Sequence, residues 1–132
     1  MGSLRELVAA RYLLDTNICI YLLRGGHDRL RQRVEECRRG EVVTSAIVQA
    51  EVMVGADAHG QAAQARALFR QIPALPFDSL AAEMYASFPF YRGDLDRFIG
   101  AHALSLGLTI VTNDPDDFAR MPQLRIENWS SR

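Results

Sequence analysis

The 132-residue sequence contains no lysine; all fifteen basic residues are arginine. Chemistry that requires a lysine amine is therefore excluded, while Arg is well suited to bidentate phosphate contacts and to stacking. Cysteine is scarce. Cys19 and Cys37 are too few for a disulfide framework, and a reduced, cytoplasmic protein is the expectation. Zinc ligation lacks its usual donors, because no Cys/His cluster with ligand spacing exists and His27, His59 and His102 are scattered. Long apolar runs are missing, so no segment reaches the length needed to span a bilayer. The opening "MGSLRELVAA" has too short an apolar core for a signal peptide. Charge of one sign is missing too: a net charge of −1 does not make the whole domain an electrostatic nucleic-acid trap.

The composition present is that of a soluble globular protein, 48% apolar and 23% charged, and the length suits one domain with one core. Residues 1–11 are set apart as an N-terminal extension whose "MGS" start resembles a cloning remnant, and 12–132 as the domain proper. Short apolar runs at 12–14, 42–44, 75–77 and 109–112 read as buried strands, with 124–127 as an edge strand. Helical patterns lie at 28–39, 45–55, 61–72, 79–88 and 95–106, with Gly40 placed to end the first and Ser45 to cap the second. This alternation predicts an α/β domain with a mostly parallel four- to five-stranded sheet.

In such sheets ligands bind beyond the carboxyl ends of the strands. Asp15 interrupts the apolar stretch "RYLLDTNICIYLLRG" at one such end, and Asp114 follows "TIVTN" at another. On the helix from Ser45, the spacing of Ile47, Ala50, Glu51 and Val54 predicts one stripe and puts Glu51 on or beside the buried face. Asp94 and Asp96 open an apolar helix where the macrodipole favours negative charge; Asp94 reads as the cap and Asp96 as the functional acid. His102, on the same helix, reads as a satisfied core histidine. Two carboxylates about 4 Å apart repel by about 4 kcal/mol at an effective dielectric near 20. Against a fold stability of about 5–15 kcal/mol, several such pairs require protonation or a cation. All-oxygen ligation suits Mg²⁺ or Mn²⁺.

The pattern resembles the PIN-domain ribonucleases, and among them the VapC toxins of bacterial toxin–antitoxin pairs. The segments that carry the resemblance are "YLLDTNICIYLLRG", "TSAIVQAEVMVG", "LDRFIGAHALSLGLTIVTND" and "DFARMPQLRIENWS", within residues 12–129. It implies a three-layer α/β/α fold and a metal-dependent endoribonuclease. Asp15, Glu51, Asp96 and Asp114 match the four family acids, which would hold one or two Mg²⁺ or Mn²⁺ ions. Thr16 and Asn17 would orient the first acid or its water, and Ser45 matches a hydroxyl residue near the site. Asp117 fits either a supporting role or an ordinary N-cap. The resemblance also implies a homodimer and a cognate VapB-like antitoxin whose C-terminal segment covers the site, often with an Arg among the acids. The compact "YASFPFYRGDLD" departs from the longer helix and loop of many relatives, and the residues before "YLLDTN" are extra.

The expected reaction is metal-assisted, in-line hydrolysis of RNA, leaving 5′-phosphate and 3′-hydroxyl ends. Arg24, Arg92 and Arg97 lie near the motif segments and are the candidates for phosphate grip. Aspartyl-phosphate chemistry fits poorly, because Asn17 stands where the phosphatases usually place a second Asp, and the phosphate-binding Lys is missing. A nucleotide switch fails for want of a Gly-x-x-x-x-Gly-Lys loop. A non-catalytic binding module of the same fold would be expected to lose acids, and all four are present. If the acids converge on a cation, saturating Mn²⁺ at neutral pH raises the melting temperature by several degrees and EDTA reverses it; an unchanged melting temperature would contradict clustering.

Overall fold

The computed structural model describes residues 9–88 and 94–130. Five strands form one sheet in the order β3-β2-β1-β4-β5, and every pairing is parallel. They are β1 (Tyr12–Leu14), β2 (Val42–Ser45), β3 (Ala74–Leu75), β4 (Thr109–Val111) and β5 (Ile126–Glu127). The helices are α1 (Thr16–Arg24), α2 (Asp28–Glu35), α3 (Ala46–Ala58), α4 (Ala62–Gln71), α5 (Ser79–Ala86) and α6 (Leu95–Ser105), with a 3₁₀ turn at Pro115–Asp117. The chain winds outward from β1 to β3, then returns through α5 and α6 to β4 on the other side of β1. Right-handed crossovers put the helices of these two directions on opposite faces, giving the three-layer α/β/α arrangement. The β1–β4 boundary is then the switch point of the sheet.

The three central strands β1, β2 and β4 are buried on both faces. Leu13, Leu14, Ile110 and Val111 are all fully buried, as continuous apolar runs in a parallel sheet should be. Each helix on the site side begins with an acceptor at its cap. The Ile18 amide donates to Asp15 Oδ1 (3.0 Å), Ile47 to Ser45 Oγ (3.1 Å), Ala81 to Asp78 Oδ1 (3.0 Å) and Arg97 to Asp94 Oδ1 (3.1 Å). Asp94 is thus the cap that the sequence indicates.

Two expectations need correction. The predicted 28–39 helix stops at Glu35, and Gly40, at φ 92°, belongs to the turn that feeds β2 instead of ending the helix. In α3 the buried stripe is Val48, Val52 and Ala56, while Val54 is 72% exposed. Apolar residues lie all round this helix, so periodicity alone offers two stripes. Packing selects the one in line with the buried Ser45, and Glu51 flanks it half-buried.

Helix α6 is buried from Ile99 to Ala103. At Gly100 the side chain of Met121 packs against the helix backbone, and a Cβ there would lie 2.0 Å from Met121 Sδ and force that side chain to shift. His102 is 1% exposed, with Nδ1 2.8 Å from Ser45 Oγ. Its ring also bonds the Pro76 carbonyl, and burial holds its pKa below the ordinary value. A neutral ring with its proton on Nε2 satisfies this environment: Ser45 donates to Nδ1 and accepts from Ile47. Ser45→Ala removes the α3 cap, about 0.5–2 kcal/mol. It also orphans a buried ring nitrogen, about 1–3 kcal/mol. Urea denaturation should show a loss of about 2 kcal/mol or more; unchanged stability would contradict this arrangement.

Candidate active site

Asp15 stands at the end of β1 with only 6% of its surface exposed. Its amide donates to the Val111 carbonyl of β4 (3.0 Å), which fixes the backbone at the switch point. Burial raises its pKa; hydrogen bonds from the Thr112 hydroxyl and the Ile18 amide oppose that rise, and Asp117 and Glu51 add to it. Thr112, fully buried, also accepts from the Asp114 amide (3.0 Å) and so couples the two strand ends. Thr112 is not among the residues the sequence pointed to. Its signal in the sequence is its place at the carboxyl end of "TIVT", where a hydroxyl can reach the neighbouring strand end.

Glu51 reaches the crevice from the flank of α3, and the Thr16 hydroxyl at the start of α1 donates to its carboxylate. Thr16 therefore ties the second acid to the first helix. Asn17 is exposed at the next position, and Ser45 lies beneath the crevice, committed to the α3 cap and His102.

Asp96, in the first turn of α6, has its pKa pushed up to about 6. Burial is the main cause, followed by repulsion from Asp117, Asp94, Asp15 and Glu51. Asp117 shares a hydrogen bond with Asp96; its own pKa is raised by burial and by Asp114, Asp94 and Asp116. Asp15, Glu51, Asp96 and Asp117 therefore form one group of repelling carboxylates. Asp114 is exposed and acts on Asp117. The sequence placed Asp114 in the crevice with Asp117 beside it; here Asp117 is the one that acts on Asp15 and Asp96. The reason is local: Thr112 holds the Asp114 amide, and the 3₁₀ turn opened by Pro115 brings Asp117 back toward α6.

The donors are all oxygen, a set that fits a hard divalent cation. The side chains do not yet close on one. Among the described residues, no three His, Cys, Asp or Glu side chains are grouped to hold a metal ion. Of the arginines considered for phosphate grip, Arg24 is exposed at the end of α1 and Arg97 is half-buried beside Asp96. Arg92 lies outside the described residues.

Fold and crevice together define a class: a parallel α/β domain with a carboxylate-lined crevice at the switch point of its sheet. The profile of the PIN domain family matches residues 12–124. The chain is 30% identical over 131 residues to the tRNA(fMet)-specific endonuclease VapC of Shigella flexneri, covering 91% of this chain and 98% of that one. It is 27% identical over 130 residues to ribonuclease VapC2 of Rickettsia felis, covering 89% and 97%. Among solved structures, VapBC2 from Rickettsia felis, bound to a DNA fragment from their promoter, superposes with a TM-score of 0.77 at 26% identity, covering 89% of this chain and 98% of that one. DNA-bound VapBC from Salmonella typhimurium also gives 0.77, at 28% identity, covering 91% and 98%. The chain belongs to the PIN domain family and, within it, to the VapC-type proteins. No helix among the described residues is long and apolar enough to cross a membrane.

The raised Asp96 pKa fixes a sign. The fold favours its protonated form, so its contribution to stability is fully present below the ordinary 3.8 and is lost as pH rises through about 6. Asp15 and Asp117 shift in the same direction. In EDTA, Asp96→Asn should become more stable than the parent above pH 6, and the difference in melting temperature should grow between pH 4 and pH 7. A difference independent of pH would contradict this electrostatic account.

Proposed function

We propose that this chain is the endoribonuclease toxin of a toxin–antitoxin pair, hydrolysing RNA phosphodiester bonds with Mg²⁺ or Mn²⁺ held among its acids. The observation that carries the reading is the group of four repelling carboxylates at the switch point. The ribonuclease and endonuclease names of relatives similar over nine-tenths of the chain support it. Asp15, Glu51, Asp96 and Asp117 would hold the ion, with Asp114 next to them. A bound divalent ion would supply acidified water and stabilise charge on the phosphoryl oxygens.

The chain's own groups prepare for this. Asp15 is fixed by Ile18 and Thr112, and Glu51 by Thr16. Asp96 and Asp117 share a hydrogen bond. Asp96 therefore holds a proton at mildly acidic pH, one it would have to release to act as a ligand. The same crevice suits a guanidinium, the group a VapB-like antitoxin would insert to neutralise the toxin. The VapBC complexes among the structural neighbours support that partner. A homodimer and a cytoplasmic location go with this reading.

Cleavage of RNA should require Mg²⁺ or Mn²⁺ and stop in EDTA. Asp15→Asn and Glu51→Gln should each lower the rate by about a hundredfold or more, the scale of losing one preorganised electrostatic group. Equal activity in EDTA or in both variants would sink the reading. Asp117→Asn should cost at least about tenfold more than Asp114→Asn; the reverse order would overturn the choice of Asp117 as the fourth ligand.

A further inference from the structure

A cavity of about 570 Å³ opens at the opposite end of the sheet from the acids. Gly40 and Val42 line it where β2 begins, and Ile72 lines it just ahead of β3. The acids lie beyond the other end of the strands, about 10 Å further along β2 at roughly 3.3 Å per residue. The charged groups on its wall are Arg38, Arg39 and Arg70 against Glu35, so it is cationic in a chain of net charge −1. Glu41 sits near Arg38 but makes its ion pair with Arg11. Among the described residues, neither Arg39 nor Arg70 has an ion-pair partner. The floor is apolar, formed by Val34, Val42 and Ile72, and the half-exposed thiol of Cys37 is also on the wall.

These features suit one chemistry. Guanidinium forks match phosphate oxygens in pairs and stack on flat rings, and an apolar floor accepts the face of a base. The volume lies within the range of about 300–1,000 Å³ usual for small-ligand pockets. An RNA substrate is repelled by the acids it must approach, so cationic handles away from the crevice would raise its capture.

We propose that this cavity is a second, non-cleaving nucleotide site: its arginines grip phosphate, its floor takes a base, and its occupant is a part of the RNA substrate remote from the scissile bond. The identity of the occupant rests on the ribonuclease reading; the phosphate chemistry of the cavity does not. A free nucleotide offers the same chemistry and is tested separately.

Binding is measured in EDTA, so that cleavage plays no part, with a fluorescent single-stranded oligoribonucleotide and with adenosine monophosphate. The variants are Arg39→Ala with Arg70→Ala, and Arg66→Ala as an exposed charge control on α4. The double variant should bind the oligoribonucleotide about tenfold more weakly. Its plot of log affinity against log salt should be shallower by about 1.4, since each single-strand phosphate that an Arg neutralises adds about 0.7 to the slope. Arg66→Ala should leave both unchanged. RNA should also slow alkylation of Cys37 in the parent and not in the double variant, with buried Cys19 as the internal reference. Circular dichroism checks that the variants fold.

Equal RNA affinity and salt slope in parent and double variant would overturn RNA as the occupant. If adenosine monophosphate alone then protects Cys37, the site belongs to free nucleotides; if neither ligand protects it, the nucleotide site itself is overturned. A parent that binds RNA through Arg39 and Arg70 but cuts none with Mn²⁺ would sink the ribonuclease reading and leave the site standing. A chain that cuts RNA with binding unaltered in the double variant would sink this site alone.

Discussion

The structure is organised around a carboxyl group placed where charge is least welcome. Asp15 ends the central strand, almost wholly buried, between the two strands whose connections run in opposite directions. Local donors compensate it: the first turn of α1 through Ile18 and the end of β4 through Thr112. Those same contacts cap α1 and tie the carboxyl ends of β1 and β4 together. The other acids can gather only because each has its own tether. Thr16 takes Glu51, Asp94 caps α6 so that Asp96 falls in its first turn, and the 3₁₀ turn delivers Asp117 to Asp96. The cost is burial of the carboxyls and then their mutual repulsion, and both raise the pKa values of Asp15, Asp96 and Asp117.

Much of this is legible in the sequence. The apolar runs at 12–14 and 109–112 mark the central strands because two-sided burial leaves no alternation to read, only length and flanking turns. Asp94 and Ser45 are legible as caps, since a short acceptor ahead of an apolar helical run has one common use. Other features are not. The stripe on α3 escapes periodicity because Ile47, Ala50 and Val54 are as apolar as Val48, Val52 and Ala56, and only tertiary packing chooses between them. The balance between Asp114 and Asp117 is hidden as well. It depends on where a Pro-initiated turn aims the chain after Thr112 catches the Asp114 amide, a three-dimensional matter with no periodic trace.

Composition also conceals how charge is distributed. A net charge of −1 suggests indifference to polyanions, yet the molecule is polar along its strands. Acids crowd the carboxyl ends, while near the amino ends Arg38, Arg39 and Arg70 outnumber Glu35 around the cavity and Arg11 is paired with Glu41. Such a molecule can repel a nucleic acid at one end and hold it at the other, and the average over the chain does not reveal this.

The central claim is that the carboxylates at the switch point exist to hold a cation, although their present contacts are with one another and with Thr16 and Thr112. Anomalous diffraction from crystals equilibrated with Mn²⁺ tests it most directly. The account predicts an anomalous peak about 2.1 Å from oxygens of Asp15 and Asp96, the distance of a small hard divalent ion from its ligands. In that state the Asp96–Asp117 hydrogen bond should be broken. Saturating Mn²⁺ with no peak in the crevice, and with the Thr16–Glu51 and Asp96–Asp117 contacts intact, would contradict it.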